Sequence, residues 1–205
     1  MPDNQNDRKD PITMTAMTTT PSTLDAERAD LLAELATARS ALTGTVRGLS
    51  DEQAGERPTA SALCLGGLIK HVTSAEEGWM RFVVEGPSTM RFDLPDGVTW
   101  ADFMAGTARE LPQWAIDREN DFRMLPGETL AGIIERYEQV AERTEKLIAS
   151  VPDLSATHPL PEAPWSEPGG VRSVRRVLLH VIAETIQHAG HADILRETLD
   201  GQTAT

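Results

Sequence analysis

The run SVRRVLLHVIAETIQHAGHADILRETLD, residues 173–200, decides how this chain is read. Ser173 is a typical helix N-cap and Gly201 a typical helix-ending glycine, so the run reads as one long helix. Its apolar stripe starts with Val174, Val177 and Val181 and resumes at Leu195. Between them the stripe carries Glu184, His188 and His191. At about 100° per residue, Val177, His180, His188 and His191 all fall within about 40° of Glu184. A solvated polar cluster would not be bracketed by aliphatic residues above and below. An ionised carboxylate in such a stripe needs a charged partner or a metal.

Glu184 and His188 stand at i, i+4, one turn apart, so both side chains can converge on one atom. A metal site needs at least one further ligand from another helix. His71 is the candidate, being the remaining histidine inside a helical pattern. Its face carries Cys64, Gly67, Leu68, Ser74, Ala75 and Gly78, small enough for close helix packing or for a cavity at the imidazole. Two histidines and a carboxylate with an open position are the donor set of catalytic rather than structural zinc. The competing readings are a hydrogen-bonded Glu184–His188 pair that fixes helix register, and a satisfied core histidine at His71. For His191, at i+3 from His188, three roles stay open: a fourth ligand, a general acid or base, or a donor that orients the others. His180 is expected in core packing or behind the site, and His158, among prolines, at the surface.

Three more helices carry apolar residues at steps of three and four, over about residues 24–49, 61–85 and 128–150. Leu49-Ser50-Asp51-Glu52 stops the first and starts a short capped turn, and Gly86-Pro87 ends the second. Residues 86–127 form a long connection with turn signals at Asp93, Pro95, Asp96 and Gly97 and a short helix expected within 100–111. Residues 151–170 hold Pro152, Pro159, Pro161, Pro164 and Pro168 and read as an extended loop. No repeat and no alternating strand emerges. The expectation is an all-α four-helix bundle with long connections.

The stretch Gly67-Leu68-Ile69-Lys70-His71-Val72 with Glu77-Gly78-Trp79 resembles the second helix of the DinB-like four-helix-bundle superfamily. The closing run from Val174 to Glu197 is similar to the last helix of an actinobacterial branch of that superfamily, whose members largely lack an assigned function. The resemblance spans about residues 24–201, with its specific motifs on two helices. In that superfamily one His on the second helix and two His at i, i+4 on the last hold the metal. Here Glu184 replaces the first of that pair, the Glu-x-x-x-His variant of the mycothiol-dependent maleylpyruvate isomerases. The resemblance thus implies His71, Glu184 and His188 as metal ligands, while His191 stands, from its place on the helix face, as the candidate catalytic acid/base or orienting group. It implies a divalent metal, with zinc expected and nickel, iron or manganese as alternatives, and mycothiol or a similar low-molecular-weight thiol as cosubstrate. The implied function is thiol transfer to an electrophile or thiol-assisted isomerisation. The alternatives are a non-catalytic metal-binding or stress-response protein and a purely structural bundle.

Composition narrows the partners. The 205 residues carry 19 basic against 32 acidic side chains, a formal charge of −13, which disfavours nucleic acid and anionic lipid. One cysteine, Cys64, excludes a disulfide framework and a Cys-rich zinc ribbon; it reads as a small buried hydrophobe. No run approaches the roughly 18 consecutive apolar residues of a membrane helix. Residues 1–20 are polar and aperiodic, and read as a disordered tail or as sequence upstream of a start at Met14 or Met17. The bundle domain is expected over 21–205, and the cytoplasm as its location. Trp79, Trp100, Trp114 and Trp165 are expected to bury the connections. Apolar residues on both sides of the third helix allow a homodimer.

Overall fold

The computed structural model describes residues 25–203. The expected tail, 1–20, lies outside them. Among the described residues, four long helices dominate: α1 (Ala26–Gly44), α3 (Leu65–Glu85), α6 (Leu130–Ser150) and α7 (Val174–Asp200). Three shorter ones fill the connections: α2 (Asp51–Gly55), α4 (Trp100–Met104) and α5 (Gln113–Asp121). The fold is all-α, and no described helix is long and apolar enough to cross a membrane.

The helix ends follow the capping chemistry. Asp25 accepts from the Arg28 amide at 2.9 Å and caps α1, Ser50 forms a reciprocal capping box with Gln53 on α2, and Thr129 caps α6. Ser173 accepts from the Arg176 amide at 3.2 Å, and Gly201, at φ 78°, closes α7 in the left-handed conformation. Only the margins move. The first helix stops at Gly44, before the expected 49, and the second starts at Leu65, capped by the Cys64 sulfur.

The bundle buries two apolar clusters. One gathers Leu42 of α1, Leu65, Leu68 and Ile69 of α3, Ile133 of α6 and Leu195 of α7. The other gathers Leu35, Phe82, Ile148 and Val177 from the same four helices. The first cluster takes the C-terminal halves of α1 and α7 and the N-terminal halves of α3 and α6. Hence α1 and α7 run one way, and α3 and α6 the other. Because α3 and α6 are parallel, the chain must travel back along the bundle between them, which is why that connection is long. It carries α4 and α5.

Between the clusters lies a polar belt. Arg39, Glu76, Thr144 and Thr185 are all buried there. Glu76 is wholly buried and receives both Nε and Nη2 of Arg39, whose Nη1 also donates to Glu145 at 3.0 Å. At this level α7 turns its other face, Glu184 and His188, toward α3.

Two expectations about the connections are corrected. The 151–170 loop is not wholly irregular: Thr157–Pro159 (β1) pairs antiparallel with Val171–Ser173 (β2), running straight into α7. His158 in β1 is not a free surface residue, since its Nε2 lies 3.2 Å from the Val83 carbonyl and its ring packs on Phe82. The proline run hid this hairpin, because its strands are only three residues long. Trp100, Trp114 and Trp165 do serve the connections, meeting Phe92 and Phe103 in one aromatic cluster, whereas Trp79 lies within α3 and packs on Phe82 and His180.

Candidate metal centre

Three side chains from two helices converge where α3 faces α7. His71 Nε2 and His188 Nε2 each lie 3.7 Å from Glu184 Oε1, and one donor atom from each of the three falls within 4.8 Å of the other two. Ligands about 2.0–2.2 Å from a common tetrahedral ion sit roughly 3.4 Å apart, so the cluster is close to that spacing. The two imidazoles stand edge to face, with centroids 4.9 Å apart.

His71 is almost wholly buried, and its Nε2 has no hydrogen-bond partner. A buried nitrogen left in this way is costly unless something comes to it. Burial pushes the His71 pKa down to about 4, helped by the charges of His188 and Arg118 and opposed by Glu184. Burial also lowers His188, against the pull of Glu184. Both rings are therefore neutral at pH 7, the form that offers a lone pair to a metal. Glu184 is 27% exposed, so the cluster opens to solvent on its side. Two neutral imidazoles and a carboxylate, one nitrogen orphaned, fit a divalent ion.

The cover of the site comes from a helix that the sequence pattern did not reveal. Phe122, the residue capping the C-terminus of α5, stacks on His71 with ring centroids 4.0 Å apart and lies 6.2 Å from His188. It sits so close because α3 has no side chain there. A Cβ on Gly67 would fall 2.2 Å from the Phe122 carbonyl oxygen. Gly66 similarly leaves room for Met124. The small face of α3 thus has two uses: close packing at Gly67, and open space at Gly78, where a Cβ would meet nothing within 4 Å. The sequence signal for α5 was this glycine pair inside a helix, a mark of close backbone approach.

The other candidates fall around this centre. His191 is exposed, and its Nδ1 lies 3.4 Å from Nδ1 of His188, the ring nitrogen turned away from Glu184. It stands behind a candidate ligand and is not one of the three converging donors. His180, one turn before Glu184, packs edge-on to Trp79 at 5.0 Å, and burial lowers its pKa. Cys64 is buried, accepts from the Gly67 amide at 3.4 Å and stays out of the cluster. A buried small side chain for Cys64 matches the sequence reading, while His180 is only half-buried, packed on Trp79.

The class defined by fold and site is a helical bundle with two histidines and a carboxylate facing one another across two antiparallel helices. Residues 30–201 match the family model of mycothiol-S-transferase, and the chain belongs to that DinB-like, mycothiol-related family. No curated protein and no solved structure gave a significant match.

Proposed function

We propose that this protein is a divalent-metal-dependent transferase that joins a mycothiol-type thiol to a small electrophile in the cytoplasm. The observation that carries the reading is the orphaned, buried Nε2 of His71 facing the Glu184 carboxylate and His188 Nε2, in a chain of the mycothiol-S-transferase family. His71, Glu184 and His188 would hold the ion, with zinc favoured by the nitrogen and carboxylate donors and the number of ligands. Bound there, a zinc ion would bind the thiol sulfur and lower its pKa, so that it reacts as thiolate at neutral pH.

The chain's own groups do the remaining work. Phe122 and the buried wall of α3 exclude water from one side of the pair of imidazoles. Glu184 supplies one negative charge, which leaves the centre net positive and receptive to a thiolate. For His188 to offer Nε2, its Nδ1 must keep the proton, and His191 Nδ1 at 3.4 Å is the acceptor that fixes this tautomer. His191 is thus a positioning residue rather than a group in the reaction. His191→Ala should lower metal affinity about 10- to 100-fold, read by chelator competition, while the fold is kept. A His191→Ala variant of unchanged affinity would remove that role.

The test of the function is thiol conjugation. Wild-type protein loaded with zinc should consume mycothiol against a panel of alkylating electrophiles, and His71→Ala and Glu184→Ala should lose metal and turnover together. Glu184→Ala turning over at the wild-type rate without metal would overturn the proposal.

A further inference from the structure

Among the described residues of the four long helices, four large apolar side chains stand more than half exposed. One is Val84 of α3; the other three, Leu179, Ile186 and Ile194, all belong to α7. Those three share a face. With Ala183 and Gly190, both also exposed, they recur at steps of three and four along about four turns of helix. The stripe looks away from the metal centre, since Glu184 and His188 lie about 120–160° round the helix from its midline.

Three features of this face have no use inside one chain. Gly190 is the first: a Cβ there would meet nothing within 4 Å, and a glycine in mid-helix costs stability relative to alanine. The other two are the charges that end the stripe, Arg176 and Glu197, both exposed on the same face. Among the described residues neither side chain has a hydrogen bond or ion pair. Arg176 stands in the first turn of α7 and Glu197 in the last, each at the end of the helix dipole that disfavours its sign. About 30 Å of helix separates them, so they cannot meet within one chain.

The stripe is symmetric about the level between Ile186 and Gln187. A second copy turned end for end about that level brings its Ile194 to the level of Leu179, its Gly190 to Ala183 and its Glu197 to Arg176. We infer that this face of α7 is a two-fold, antiparallel interface between two copies of this chain. Ala183 and Gly190 let the two helix backbones approach, and Ile186 of each copy fills the space they leave on the other. Leu179 and Ile194 are covered at the ends. Each Arg176 gains a carboxylate and the C-terminal end of the opposite helix dipole, so both misplaced charges are compensated. The exposed face of α6 carries Glu135, Glu138, Glu142 and Lys146 instead, so the association that the sequence allowed there belongs on α7. One helix from each copy makes a small interface, and the dimer is accordingly weak.

Sedimentation equilibrium of the full chain over roughly 1 to 500 μM tests this. Wild type should pass from monomer to dimer within that range. Ile186→Glu puts a charge at the two-fold axis and should weaken association ~10-fold or more. Arg176→Glu and Glu197→Arg should each weaken it as well, by placing like charges opposite one another. The double variant Arg176→Glu/Glu197→Arg should restore it, because only a second copy running the other way brings the two positions together. Circular dichroism checks that every variant keeps its helices. Wild type that stays monomeric throughout, a dimer that survives Ile186→Glu, or single reversals that the double variant does not rescue would each overturn the inference. So would a chain that dimerises only once residues 1–24 are removed, since that segment would then be the cover of the stripe.

Discussion

Two polar clusters sit at the same level of the bundle and differ in one respect. On the inner side, the wholly buried Glu76 faces Arg39, with Nε and Nη2 of the guanidinium both donating to its carboxylate. Opposite, His71 and His188 face Glu184 without a guanidinium bonded to its carboxylate, and one imidazole nitrogen has no partner. The inner pair is complete within the chain. The outer cluster is complete only with something added. Burial of polar groups is therefore not in itself a sign of function; an unpaired imidazole nitrogen that faces a second imidazole and a carboxylate is.

This contrast can be broken most sharply by truncating each carboxylate. Glu76→Ala leaves a buried guanidinium without its charge partner and should cost about 3–5 kcal/mol in denaturant unfolding, with metal content per folded chain unchanged. Glu184→Ala should abolish metal binding yet cost under about 1 kcal/mol in the metal-free protein, because its partners are neutral rings and it is part exposed. If both variants destabilise alike, the distinction between the clusters fails.

The cover of the outer cluster comes next in size. Gly67→Ala drives a methyl group into the Phe122 carbonyl and should cost about 1–3 kcal/mol and weaken metal retention as the Phe122 ring lifts off His71. Gly78→Ala, on the same helix but facing open space, should be neutral or stabilise by about 0.5–1 kcal/mol. Thermal unfolding of the two variants side by side separates close packing from helix propensity.

A pH titration sharpens the comparison further. With its folded pKa near 4 against an ordinary 6.5, His71 binds fewer protons when folded than when unfolded between those values. Stability of the metal-free protein should therefore fall as the pH drops from 6.5 to 4, by on the order of 3 kcal/mol, and level off below. His188 acts in the same direction. A His71→Ala variant should show a shallower fall over that window; an identical fall would mean that His71 is not the group responsible.

The four long helices were legible because each carries a strong period and a cap, as Ser173 and Gly201 show for the last. The three donors were legible for a related reason: polar residues centred on an apolar stripe have to meet one another. Of the short elements, α2 and α4 were legible from their turn and cap signals, while α5 and the two strands escaped. Helix α5 has nine residues and mixes Trp114 and Ile116 with four charged side chains, so its pattern is too brief to separate from a loop. The role of Phe122 depends on where that helix lands, which Gly67 determines from another part of the chain. The three-residue strands around His158 carry too little alternation to read.

The central claim is that His71, Glu184 and His188 form one metal site, and metal analysis tests it most directly. Protein purified without a histidine tag and dialysed against trace zinc should hold one divalent ion per chain, measured by plasma emission spectrometry, and His71→Ala should hold none. Wild-type protein that holds no metal, or a His71→Ala variant that keeps its full complement, would contradict the account.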